Sequence, residues 1–200
     1  MNRFIAAIAA LVLISSAHAA GDSAKAQNIV NQICAACHGI DGNSPLAANP
    51  SLAGQHPEYL LKQLTEFKSG MRSNPVMTGM VANLSLDDMR NLAAYYSMQA
   101  PKQMGAKDKG LVEQGRKLYR GGSPSNGIAA CAGCHSPNGA GIPAQYPRLA
   151  NQHADYITAQ LKAFRAGDRA NDPNQMMRAT AVKLTDQEIA ALAEYISGLR

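Results

Sequence analysis

Hydrophobic side chains return every third or fourth residue in two stretches of this chain, Glu58 to Ser69 and Ala154 to Ala166. That spacing gathers Leu64 with Phe67, and Leu161 with Phe164, onto one side of an amphipathic helix. Each stretch is stopped by a glycine, Gly70 or Gly167, in the place of a C-terminal cap. Shorter helical patterns run from Ala24 to Ile33 and from Leu111 to Tyr119. Two closing helices start at Ser85-Leu86-Asp87-Asp88 and Thr185-Asp186-Gln187-Glu188, each resembling a capping box, and Gly198 ends the second. No segment alternates apolar and polar residues for long enough to argue for a strand. The pattern predicts an all-α protein.

These elements come twice. Cys34, Cys37, His38, Leu52, Gln55, His56, Tyr59, Gln63, Leu64, Phe67, Gly70 and Arg72 reappear 97 residues later as Cys131, Cys134, His135, Leu149, Gln152, His153, Tyr156, Gln160, Leu161, Phe164, Gly167 and Arg169. Beyond the arginine the offset becomes 100, pairing Met77 with Met177, Leu84 with Leu184 and Tyr95 with Tyr195. An insertion near Asn171-Asp172-Pro173 accounts for the change. The repeat predicts two homologous domains, 20–101 and 111–200, joined by a polar, basic linker over 102–110. Ahead of them, Met1-Asn2-Arg3, an apolar run from Phe4 to Ile14 and Ala17-His18-Ala19 describe a secretory leader over 1–19, cut after Ala19. The run is too short to span a bilayer; left uncut, it would be an anchor.

The chemistry sits at the front of each repeat. Cys34-Ala35-Ala36-Cys37-His38 and Cys131-Ala132-Gly133-Cys134-His135 carry the C-x-x-C-H spacing by which c-type haem is attached. Each thiol adds across a haem vinyl group, and the adjoining imidazole reaches the iron from that face. The two motifs use all four cysteines, leaving none for a disulfide. A four-cysteine zinc site or a dithiol redox pair could also use C-x-x-C. Neither requires a histidine directly after each pair, and zinc half-sites usually lie closer together.

Iron held by one histidine takes a sixth ligand or stays open, which separates an electron carrier from an enzyme. A methionine thioether keeps iron six-coordinate and raises its potential. Among several methionines, only Met77 and Met177 match across the copies; Met71 faces Asp168, Met80 faces Thr180 and Met89 faces Ile189. Asn and Pro neighbours place both in loops before the closing helix. Met80 and Met176 are the next choices. His56 and His153 also repeat and are rival ligands, although next to a helix start they suit a cap or a haem propionate.

Composition adds two points. Aromatic content is 5% and Trp is absent, so a porphyrin in each half would supply the large apolar body that the side chains lack. Residues 20–101 hold five Lys and Arg against six Asp and Glu, whereas 102–200 hold thirteen against eight. The net charges, near −1 and +5, make a dipole that a charged partner could orient. The scattered basic residues and few aromatics argue against nucleic acid.

With these residues in place the whole chain past the leader resembles the dihaem cytochrome c4 family. The likeness rests on Ala20-Gly21-Asp22, the run Cys37 to Pro45, Leu52-Ala53-Gly54-Gln55 and Met77-Thr78-Gly79-Met80. In the second half it rests on Arg120-Gly121-Gly122, Cys134-His135-Ser136-Pro137-Asn138-Gly139 and Met177-Arg178. The stretch from Gly70 to Met77 is shorter than in some members. The resemblance implies a tandem pair of class I cytochrome c domains related by pseudo-twofold symmetry. It implies two covalent haem c groups: Cys34 and Cys37 with His38 and Met77, and Cys131 and Cys134 with His135 and Met177. Pro50 and Pro147, twelve residues beyond the histidines, would accept the other imidazole N–H through their carbonyls. The implied role is a monomeric periplasmic electron carrier, loosely held at the membrane, between a bc1-type complex and a terminal oxidase. A dihaem peroxidase is the enzyme alternative, which the repeated methionine opposes; the haem subunit of a dehydrogenase complex is the other.

Overall fold

The computed structural model describes residues 21–200, so the expected leader lies outside the described residues. Two helical units follow one another, and among the described residues the only extended pairings are the isolated bridges Ser123–Ile128 and Ile142–Tyr146. The first unit holds α1 (23–38), α2 (Pro57–Ser69), α3 (Pro75–Val81) and α4 (Leu86–Ser97). The second holds α5 (Lys109–Gly121), α6 (Ala132–His135), α7 (Ala154–Ala166), α8 (Met176–Ala181) and α9 (Asp186–Ser197).

Local chemistry sets most of the helix ends. Gly70 and Gly167 take left-handed backbone at φ 79° and 85°, where a side chain would be strained. Both capping boxes are complete, Ser85 with Asp88 and Thr185 with Glu188. Helix α5 starts two residues earlier than the apolar pattern indicates, because the Asp108 carboxylate accepts from Leu111 N at 3.1 Å and caps it. Helix α1 does not stop at Ile33. It widens into a π-helical turn over Val30–Cys34 and continues through Ala35–His38, carrying the whole first motif on helical backbone.

Each unit has its own core. The first packs Val30, Leu60, Phe67, Leu84, Leu92 and Tyr96; the second packs Tyr119, Ile157, Leu184, Ile189, Leu192 and Ile196. Leu84 and Leu184, Leu92 and Leu192, and Tyr96 and Ile196 are repeat partners, so one set of contacts is built twice. Helices α5 and α9 cross so closely that Gly115 lies against the Ala191 carbonyl, where a Cβ would collide with backbone. Gly115→Val is expected to lower stability by about 1–3 kcal/mol, the usual result of forcing volume into a packed contact. Denaturant unfolding of the haem-loaded protein would check this, and a loss below about 0.5 kcal/mol would show that the crossing yields.

The units face each other across a pseudo-twofold axis visible in reciprocal hydrogen bonds. Gln55 donates to Arg148 O at 2.9 Å and accepts from Arg148 N at 2.9 Å. Its mate Gln152 donates to Ser51 O at 2.9 Å and accepts from Ser51 N at 2.8 Å. Deeper in the interface Arg72 donates to Tyr156 and Gln160, and Arg169 donates to Tyr59 and Gln63. The guanidinium groups rest on Phe67 and Phe164, at 4.6 and 4.4 Å from the ring centres. The connecting segment is fastened too: Lys102 N donates to Asn43, Met104 N to Asn151 and Lys107 N to Glu194.

Candidate haem sites

The first motif lies at the end of α1 and the second on α6, so each presents two thiols and an imidazole from helical backbone. His38 and His135 are buried. His38 Nδ1 is 2.8 Å from Pro50 O, and His135 Nδ1 is 3.0 Å from Pro147 O. A carbonyl only accepts, so each Nδ1 carries the proton and each Nε2 is left with a free lone pair. Burial lowers the pKa of both imidazoles, against the hydrogen bond to the carbonyl, which raises it. A neutral, oriented imidazole with an open Nε2 is the state in which histidine binds a metal.

The turn after each motif brings the proline beneath its histidine. Gly42 O accepts from Leu52 N at 2.6 Å and Ala53 N at 3.1 Å, and Gly139 O accepts from Leu149 N and Ala150 N at 2.8 and 3.0 Å. Gly42 has φ 72°, and a Cβ on it would stand 2.8 Å from Ala53 N, so only glycine closes this loop without strain.

The leading thiol of each motif lies in apolar surroundings. Burial pushes Cys131 up to about 11 and raises Cys34, the latter partly offset by the Tyr96 hydroxyl beside it. Cys37 is half-buried and Cys134 exposed. Among the described residues no three His, Cys, Asp or Glu side chains converge as a metal cage, so the cysteine pairs do not join into one zinc site.

Met77 is half-buried against the first core, whereas Met80 and Met71 are exposed. Both repeat-matched methionines stand on short helices rather than in loops. Asn74 Oδ1 accepts from Met77 N at 2.9 Å and Pro75 sits at the first helical position, so α3 starts just before Met77. Met177 is the second residue of α8, beside Arg178, which the buried Asp172 carboxylate holds through its backbone N at 3.0 Å and its Nε at 2.8 Å. Met176 is engaged elsewhere, its sulfur 3.7 Å from the Tyr146 hydroxyl. Neither repeated histidine caps a helix through its side chain. His153 Nε2 donates to Ser44 O in the other unit at 2.9 Å, while His56 Nε2 is buried with no partner among the described residues.

Residues suited to the acidic rim of a porphyrin are also present. His56 Nε2 and Arg148 Nε are both buried donors without an acceptor among the described residues, and they flank the Gln55 clamp. Burial pulls the Arg148 pKa down, as expected of a cation short of a counter-charge. Paired thiols, an open imidazole nitrogen and stranded donors together fit haem c.

A profile of the cytochrome c family matches residues 23–97 and 112–200. A cytochrome c4 from Azotobacter vinelandii is 47% identical over the full length of both chains. The chain belongs to the dihaem cytochrome c4 family. The crystal structure of reduced recombinant cytochrome c4 from Pseudomonas stutzeri superposes with a TM-score of 0.87 at 46% identity, covering 90% of this chain and 100% of that one. A more distant relative, the thiosulfate dehydrogenase electron acceptor of Stutzerimonas stutzeri, is 39% identical over 98% of this chain and 94% of its own. As a member of the cytochrome c4 family, the protein carries two covalently bound haem c groups, one in each cytochrome c domain, and transfers electrons rather than converting a substrate. The tandem all-α architecture read from the repeat is the one found.

The sequence did not reveal the role of Gln55, Tyr59, Gln63 and Arg72 or of their mates. All were visible as repeated positions, and the spacing of four between Tyr59 and Gln63 puts a polar stripe on one flank of α2, with Gln55 just ahead of its start. That stripe was the available signal for the interface.

Proposed function

We propose that this cytochrome c4 is a periplasmic carrier whose two irons are each held between histidine and methionine, His38 with Met77 and His135 with Met177. When bound, each haem supplies a one-electron iron centre. Cys34 and Cys37, and Cys131 and Cys134, tether the two groups; Pro50 and Pro147 fix the imidazoles. The observation that carries the reading is that Met77 and Met177 alone repeat, both half-buried, on matching short helices. The working units are 20–101 and 111–200, joined by 102–110, with a leader over 1–19 that directs export. The donor is a bc1-type complex and the acceptor a terminal oxidase, with loose peripheral attachment to the membrane and the unequal charges of the halves orienting the encounter. Among the described residues no helix is long and apolar enough to cross a membrane.

The ferric near-infrared methionine-to-iron band tests the ligands. Met77→Ala and Met177→Ala are each expected to remove about half of it, and together all of it, because the band requires the thioether. A band that survives the double substitution would overturn the assignment. A second reading, service as the electron acceptor of a thiosulfate dehydrogenase, is favoured by the name of the 39%-identical relative. Stopped-flow reduction by each candidate donor separates the two.

A further inference from the structure

The interface is twofold in its arginines but not in what surrounds them. On one side Arg169 Nε donates to Asn171 Oδ1 at 3.0 Å, and Asn171 Nδ2 donates to the buried Glu66 carboxylate at 2.6 Å. Lys62 closes that side, reaching Glu66 at 2.6 Å and Asn171 O at 2.7 Å. The mates of Lys62 and Glu66 are Ala159 and Ala163, and with the insertion placed directly after Asn171 the offset of 97 also pairs Asn171 with Asn74. Asn74 has turned away to cap α3. A cavity of about 250 Å³ remains there, lined by Arg72, Ser73, Asn74, Ala159, Gln160, Ala163, Asp168 and Arg169.

Arg72 is buried, 8% exposed, and lines this cavity. Its Nη1 and Nη2 are spent on Gln63, Tyr156 and Gln160, but among the described residues its Nε has no acceptor, unlike that of Arg169. Charge is also out of balance. Arg72, Arg169 and Lys62 all lie close enough to act on the Tyr59 phenol, while the one buried carboxylate beside them, Glu66, is paired with Lys62 and Asp168 is exposed. Burial raises the pKa of Tyr59, yet Arg169 and Arg72 more than cancel this and hold the phenol below its usual range. The volume, the spare donor and the surplus cations sit where the other side holds a carboxylate.

We propose that this cavity is a binding site for a small carboxylate or oxyanion, which takes the place that the Asn171 amide and the Glu66 carboxylate behind it fill on the opposite side and accepts from Arg72 Nε. A bound anion completes the twofold pattern and braces the two units. Water is the competing occupant, since it too can accept from Nε, but it leaves the cation surplus uncompensated.

The probe is acetate, with sulfate as a second arm, added to the haem-loaded full-length protein at ionic strength held constant with chloride. Saturable broadening of ¹³C-acetate resonances, reversed by sulfate, and a saturable rise in Tm are expected. Ala163→Glu builds a tethered carboxylate into the cavity and is expected to weaken acetate binding about ten-fold or more. Ala159→Met fills the same space with apolar volume and is expected to do likewise if the first variant does not fold. Absence of saturable broadening in the unaltered protein overturns the proposal, as does undiminished affinity in a folded cavity variant.

Discussion

Arg169→Ala is expected to cost roughly 3 kcal/mol or more of stability, since each buried acceptor stranded without a donor costs on the order of 1–3 kcal/mol. Arg169 serves Asn171, Gln160, Tyr59 and Gln63 at 2.8 to 3.1 Å, from three nitrogens. Its removal strands the Tyr59 hydroxyl of the opposite unit, takes one of three donors from Gln63 Oε1 and takes the cation off the Phe164 ring. Burial works against the Arg169 charge, but Tyr59, Tyr156 and Glu66 outweigh it and raise the pKa. Lysine is therefore a poor substitute: Arg169→Lys keeps the charge but loses the planar fork, and should recover less than half of the loss. Calorimetry of the haem-loaded protein is the measurement. One cooperative transition should separate into two as the halves uncouple. A loss under about 1 kcal/mol, with a single transition retained, would mean that the interface does not depend on this arginine.

Removing the second haem anchor should have a larger effect. In Cys131→Ala with Cys134→Ala, bound haem is expected to fall from two per chain to one, halving the Soret absorbance to within roughly 10%, because C-x-x-C-H attachment is covalent. The second unit should then lose its cooperative unfolding. Its apolar core of Leu118, Tyr119, Ile128, Ile157, Leu184, Ile189 and Leu192 contains no tryptophan, and Cys131 and Leu149 pack against its edge where the porphyrin belongs. The first unit, with a separate core, should keep its haem and its spectrum. Pyridine haemochrome assay and far-UV circular dichroism decide the matter. Two haems per chain in the variant, or an unchanged melt of the second unit, would contradict it.

What could be read from the residues was local or repeated. Ser85 with Asp88, Thr185 with Glu188, and the left-handed glycines Gly70 and Gly167 act within a few residues of themselves, so their sequence signs hold in the structure. The haem motifs are equally local. Met77 stands on a helix and not in the expected loop because Asn and Pro, which form turns, also begin a short helix when Asn is at the cap and Pro at the first position. The polar faces of α2 and α7 carry no sign of an interface, because no one-dimensional pattern distinguishes a wet glutamine from one clamped across it. Asn74 and Asn171 show the limit most clearly. They are the same residue at matched positions, yet one caps a helix and the other bridges Arg169 to Glu66, because only the first unit supplies Lys62 and Glu66.

The glutamine clamps between the halves join a residue to the counterpart of its own neighbour: Gln55 meets Arg148, which stands where Ser51 stands in the first unit, and Gln152 meets Ser51 itself. One ancestral domain thus held both the hook and the eye on a single surface, and two free copies could have closed on each other as a homodimer. Fusion through a short strap turned that concentration-dependent meeting into a permanent one and released each copy to diverge in charge and lining.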